Sequence, residues 1–319
     1  MFLTFLQSAL RMSAVFIYGS TGETLTEKSG NLNLGTPGIM CLGAVGGVMG
    51  TAAYIKSLAD IADMTWFGVV IVPMLFAMLF AGIGGLIYSF ITITLRCNQN
   101  VTGLALTTFG VGCLVFFGQR VDATNFATAS RFITRSFPFA ADLGWFGTVF
   151  FSYGVFVYLA IAIAIIVAIV LKKTRTGLNL RAVGENPATA DAAGISVTKY
   201  KYTATLIGSM ITGLGGLFYT MDYRGGMIEY NSVEPLGWLA VALVIFTVWR
   251  PNWGILGAIL FSMLSIASNY LKVSFANREI VDMVPYLVTV AVLVVTSIVS
   301  RRETQPPASL GLTYFREER

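Results

Sequence analysis

Histidine is absent from the 319 residues, and charge is scarce, with 12% of residues being Asp, Glu, Lys or Arg against about 25% in an ordinary soluble domain. Without imidazole the commonest general base and metal ligand is gone. The three cysteines, Cys41, Cys97 and Cys113, stand apart in uncharged stretches, so neither a disulfide nor a zinc site is expected. A membrane enzyme would need a reactive cluster of His, Cys or paired carboxylates near one bilayer face, and none is evident. Also missing is any G-x-x-x-x-G-K-[ST] phosphate loop, the signature of a chain that grips ATP phosphates itself.

What is abundant is apolar side chain, 55% of the sequence. A soluble helix would show a polar face recurring every ~3.6 residues, whereas here the charges are confined to short islands between uncharged runs. A hydrocarbon core about 30 Å thick takes roughly 20 helical residues. The runs that meet or approach this length are Phe2 to Gly22 (broken only by Arg11), Ser29 to Ile55, Met64 to Leu95, Cys97 to Gln119, Leu143 to Leu171, Tyr202 to Met221, Pro235 to Trp249, Pro251 to Leu271 and Met283 to Ser300. The chain therefore reads as an all-α polytopic membrane protein with about nine transmembrane helices (eight to ten). They form one transmembrane domain over residues 1–300, followed by a tail at 301–319. Pro235 to Trp249 is short for a crossing, and Met64 to Leu95 is long enough to hold a kink at Pro73 or a surface segment. The amino terminus lacks a basic region and a small-residue cleavage site, which predicts a retained helix.

The net charge of +5 does not point to nucleic acid, because the basic residues lie between apolar spans and form no stripe on a soluble face. They fit a lipid surface instead. Nine crossings divide the loops into two sets, one holding thirteen of the 21 Lys and Arg residues, among them Lys28, Arg96, Arg250, Arg301, Arg302, Arg316 and Arg319. Six of the thirteen lie between Leu171 and Tyr202. The other set holds Lys56, Arg120, Arg131, Arg135, Arg224, Lys272 and Arg278. The positive-inside rule then predicts an amino terminus outside, a cytoplasmic carboxyl tail and a cytoplasmic 172–201 loop. Trp66, Trp145, Trp238, Trp249 and Trp253 fall near span ends, where indoles anchor at the interface.

The second span carries Gly30, Gly35, Gly38, Gly43, Gly46, Gly47 and Gly50. Such a helix suits a site enclosed by other helices and leaves room for a pathway, and Pro37 is a point where it can break. The sixth repeats the pattern with Ser209, Thr212, Gly213 and Gly216, there read as close packing. Within the spans Arg11 is the one ionisable residue, free to snorkel outward.

The basic loop holds a complete short helix. Asn186 is an N-cap, Pro187 fits the first helical position, Ala188 to Ala193 is mostly strong helix former, and Gly194 supplies a terminating left-handed residue. Two turns are not stable alone in water; the helix needs a membrane face or a partner to hold it.

The stretch Gly-Leu-Asn-Leu-Arg-Ala-Val-Gly-Glu-Asn-Pro-Ala-Thr-Ala-Asp-Ala-Ala-Gly-Ile (Gly177 to Ile195) resembles the ATPase-docking loop of the branched-chain amino acid, sugar and nucleoside permeases of bacterial ABC importers. Two more segments agree in order: Glu27 to Ala44, similar to the family's opening core motif, and Asn98 to Thr108, similar to its next polar re-entry into the membrane. Thr36-Pro37 departs from that opening motif, where an acidic residue is usual. The Ala-Val-Gly-Glu-Asn-Pro form most resembles nucleoside permeases, with simple sugars (ribose-like) or branched-chain amino acids as the alternatives. The resemblance implies a type II-like importer core and a transport subunit that is not itself an enzyme and binds no cofactor. ATP and Mg would be used by a cytoplasmic ATPase docked at Gly184, Glu185, Asn186, Pro187, Ala190, Ala193 and Gly194. It further implies a second, related permease forming a heterodimer and an extracellular or periplasmic substrate-binding lipoprotein. For a nucleoside, Asn31, Asn33, Gln99, Asn100 and Thr102 are the candidate hydrogen-bonding contacts, each equally suited to capping or interhelical bonding. A secondary transporter or channel would instead show inverted repeats or intramembrane charges.

Overall fold

A computed structural model describes residues 2–118, 123–140, 142–227, 232–271, 280–299 and 305–315. Gln119, Arg120, Lys272, Arg278, Ser300, Arg301, Arg302, Arg316 and Arg319, used above to bound spans or weigh loop charge, lie outside the described residues. Among the described residues every regular element is a helix, without strands.

Seven helices are long and apolar enough to cross a membrane: α1 (Phe2–Glu27), α2 (Thr36–Ser57), α3 (Trp66–Ser89, continued by a π-helical turn Phe90–Thr94), α4 (Gln99–Gly118), α7 (Val155–Lys173), α10 (Val197–Leu217, continued by a π-helical turn Phe218–Tyr223) and α12 (Pro251–Tyr270). Among the described residues two shorter apolar helices, α11 (Val233–Phe246) and α13 (Val284–Val299), stand where the other two of the nine expected spans lie, each below the length of a full crossing. Between them lie α5 (Ala123–Ile133), α6 (Gly144–Phe150), α8 (Arg175–Glu185) and α9 (Pro187–Ala192).

Several boundaries move, for local reasons. Residues 28–35 are not helical, and Pro37 opens α2 instead of breaking it, because a proline in the first turn sacrifices only a donor that has no helical partner. Pro73 is carried inside α3. The expected run from Leu143 to Leu171 divides into α6 and α7. Charge did not end helices either: α1 runs on through Glu23 to Glu27, and α10 through its π-helical turn past Asp222.

α1 packs against α7, α10, α11 and α12, while α2 packs against α3, α4, α10 and α11. α2 and α10 are buried over 72% and 83% of their apolar windows, α4 and α7 over 33%, which places the latter pair at the periphery of the bundle. The tight contact is made by missing side chains. A Cβ on Gly43 of α2 would strike the backbone of Gly213 on α10, and one on Gly22 of α1 would strike Gly208 and Thr212 on the same helix. The other α2 glycines are likewise filled, Gly38 by α4, Gly46 and Gly50 by α3, and Gly47 by Leu217. The small residues of α2 are thus packing positions, which corrects the expectation that this helix lines an open pathway.

Candidate functional site

The basic loop folds as a helical pair laid across one pole of the bundle. Thr174 caps α8, its hydroxyl accepting from Gly177 N at 3.1 Å, and Asn186 caps α9, its Oδ1 accepting from Thr189 N at 3.0 Å. α9 ends in a Schellman arrangement, with Gly194 N donating to Asp191 O and Ile195 N to Ala190 O, both 3.0 Å. Gly194 takes φ +83° there, the left-handed conformation the sequence assigns it. α8 was not foreseen as a helix of its own.

The pair is held by one apolar face. Val183, Ala190 and Val197 form a small core with Ala182, Ile195, Tyr200 and Tyr314 around it. The opposite face of α9 is bare, with Ala188, Thr189, Ala192 and Ala193 exposed along with Glu185 and Asn186. Gly184 is the junction. A Cβ on it would strike the carbonyl of Lys28, and its own carbonyl accepts from Ser309 N at 3.0 Å and Ser309 Oγ at 2.5 Å. The tail segment 305–315 is therefore no free end: Gly311 N donates to Gly30 O at 3.2 Å, and the Tyr314 hydroxyl to Asp191 Oδ2 at 2.9 Å.

Beside the pair, Lys28, Lys172, Arg181 and Arg250 line a basic groove of about 470 Å³. Burial pulls the Lys28 ammonium below its ordinary value, and the nearby Glu185 carboxylate opposes that shift. The groove's far wall is a strained turn, Val248 and Trp249 having φ of +55° and +53°, a region costly for β-branched and bulky residues. Trp249 is buried, so it is not an interfacial anchor; its indole N–H donates to Glu27 Oε2 and ties the turn to the end of α1. Replacing Trp249 with Phe would strand a buried carboxylate and release the turn, at about 1–3 kcal/mol. A lower melting temperature of the purified protein, with reduced uptake, is the expected result.

The polar candidates from the sequence lie at this same pole. Asn31 donates to Thr205 Oγ1 at 3.1 Å, Gln99 Oε1 accepts from Leu32 N at 2.7 Å, and Asn33 Oδ1 accepts from Gly35 N at 3.0 Å. Thr102 donates to the carbonyl of Asn98 at 2.8 Å, and Asn100 is exposed. Asn31 and Gln99 share a cavity with Asp191 of α9. The structure thus brings Asn31 and Gln99 beside α9, keeps Asn33 within the 28–35 turn, and leaves Asn100 and Thr102 in the first turn of α4.

Ionisable residues inside the long helices are more numerous than Arg11 alone. Glu23 and Glu27 are both buried on α1, Glu23 accepting from the Thr36 hydroxyl. At the opposite pole, Arg11 does not snorkel. It donates through Nε to Asp222 Oδ1 at 2.9 Å and through Nη2 to the Asp222 carbonyl at 2.5 Å. The Arg11 side chain is 34% exposed and that of Asp222 wholly enclosed. The Tyr223 ring, stacked on Tyr219 at 5.7 Å, lies 5.9 Å from the guanidinium. The signal that pointed here was available: a lone arginine inside an apolar helix needs a partner, and Asp222 bounds the span that packs against it.

The family model described as "Branched-chain amino acid transport system / permease component" matches residues 5–293. The putative glucose ABC transporter permease protein TsgC13 of Haloferax volcanii is 30% identical, over 98% of this chain and 97% of its own. The guanosine ABC transporter permease protein NupQ of Bacillus subtilis is 30% identical, over 98% and 96% respectively. The nucleoside ABC transporter permease protein NupC of Lactococcus lactis is 28% identical over 88% of each chain. No solved structure matches the chain.

Proposed function

Because the chain belongs to the family of branched-chain amino acid transport system permease components, and is thus a multi-pass cell-membrane permease subunit of an ABC transporter, we propose that it imports nucleosides, driven by a separate ATPase. The observation that carries the coupling is α9 itself. It is a two-turn helix whose inner face is fixed by Val183, Ala190 and Val197 and whose outer face offers bare backbone and small side chains to another protein. A chain with no phosphate loop of its own needs such a contact to receive work. Closure of the ATPase pair would move the α8–α9 unit, and with it α1 and α10, as a rigid body between two states.

In this account the docking pole is cytoplasmic, as the clustering of Lys28, Lys172, Arg181 and Arg250 there supports. The amino terminus is outside, a related permease completes a heterodimer, and a binding lipoprotein delivers solute to the pole of Arg11 and Asp222. The nucleoside reading rests on the names of NupQ and NupC; the name of TsgC13 favours a sugar as the second reading. Uptake of labelled purine and pyrimidine nucleosides, ribose, glucose and leucine, in cells with and without the gene, separates them. Loss of nucleoside uptake alone is expected; loss of sugar or leucine uptake with nucleoside uptake intact would overturn the assignment.

A further inference from the structure

Lys201, in the second turn of α10, is 4% exposed, yet among the described residues it has no hydrogen-bond or ion-pair partner. A buried cation is ordinarily paired. Its side chain lines a polar cavity of about 230 Å³ between the transmembrane bundle, α9 and the tail. Two further features of that cavity favour an anion. The cap residue of α10, Ser196, makes no side-chain capping bond, so the first-turn N–H groups there keep their partial positive charge. Arg96 also lines the wall, its guanidinium 4.8 Å from the Phe315 ring centroid and, among the described residues, in no ion pair. Among the described lining residues the one acidic side chain is Asp191, bound at Oδ2 by the Tyr314 hydroxyl, a single negative charge against the two cations.

The cavity also asks for a donor. Asn31 Oδ1 is buried without a hydrogen-bond partner, and Asn31 lines the same space. A lysine, an arginine and a helix amino terminus facing an orphan acceptor suit a group carrying both oxyanions and a hydroxyl. The geometry points to a phosphoryl-binding site, filled by inorganic phosphate, by a small phosphate monoester or by the headgroup of a phospholipid at the membrane face. An occupant would touch α10, α9 and the tail together, and so would fix the docking helix to the bundle. This binding does not depend on which solute is carried.

The test uses the full chain purified in a maltoside detergent free of phosphate. Calorimetric titration with inorganic phosphate and with ribose 5-phosphate reports a soluble ligand, and native mass spectrometry reports a retained phospholipid. Saturable phosphate binding is expected, weakened tenfold or more, about 1.4 kcal/mol, in Lys201→Met and kept in Lys201→Arg. A single retained phospholipid that disappears in Lys201→Met would support the site and assign it to the headgroup. Arg96→Ala, on an exposed residue, should weaken the same signal and decides the matter if Lys201→Met fails to fold. Wild-type protein binding neither ligand, or an unchanged signal in Arg96→Ala and in folded Lys201→Met, overturns the proposal.

Discussion

Gly184→Val is expected to leave the protein in the membrane but abolish its transport. The added side chain would enter space held by the backbone of Lys28 and Gly30, and neither backbone can turn aside as a side chain would. The Gly184 carbonyl is also bonded by Ser309, so α8 must lift from the floor or the tail must detach. Overpacking of this kind costs about 1–3 kcal/mol, acting here on the seating of the α8–α9 pair, because Gly184 lies outside the long apolar helices. Gly184→Ala should show a smaller loss of the same kind. Gly194→Ile is a useful contrast: no atom lies within 4 Å of its Cβ position, so it pays only for the left-handed backbone, roughly 1–2 kcal/mol. Uptake by cells with matched membrane levels of each variant checks the order, which is wild type, then Gly194→Ile, then Gly184→Val. Full uptake by Gly184→Val would mean that α8 does not need its present seat.

The second large effect is expected at the other pole. Arg11→Met leaves the Asp222 carboxylate wholly enclosed, with Oδ2 already lacking a hydrogen bond. Removing one partner of a buried pair costs about 3–5 kcal/mol, whereas replacing both with apolar groups of similar size is often neutral or stabilising. Arg11→Met should therefore lower the melting temperature of the detergent-solubilised protein steeply. Asp222→Asn should do so less, because it strands a charge that is one-third exposed. The double variant Arg11→Met, Asp222→Leu should regain most of the loss. If the double variant proved as unstable as Arg11→Met alone, the pair would not be what joins α1 to α10 there.

What the sequence made legible was local. The α9 helix could be read because its punctuation is chemical and adjacent: Asn186, Pro187 and Gly194 each act on a backbone group within a few residues. The spans were legible because lipid imposes a minimum length on them. Misread were the places where a distant partner changed a residue's meaning. Asp222 and Glu23 looked like span ends, since a charge in isolation belongs outside the bilayer. Each is kept within its helix by a partner on another element, Arg11, 211 positions away, in one case and the Thr36 hydroxyl at the start of α2 in the other. Trp249 was read as an anchor at the interface because its neighbours Arg250 and Pro251 are polar or helix-opening, yet a left-handed turn carries it inward. The glycines of α2 suggested free space until three neighbouring helices were seen to occupy it. Asn31, Asn33, Gln99, Asn100 and Thr102 were chosen for their hydrogen-bonding groups, and four of them bond within the protein, to Thr205, Gly35, Leu32 and Asn98, because of a 28–35 turn that no periodic pattern announces.

The proposed function requires the exposed face of α9 to receive the motor subunit. It is tested most directly by placing a photo-crosslinking residue at Ala188, on that face, and at Ala190, on the buried face, in cells that make the transporter with its ATPase. A crosslink to the ATPase from Ala188 and none from Ala190, in preparations that still import solute, is the predicted result. Active transporter with no crosslink from Ala188 would contradict it.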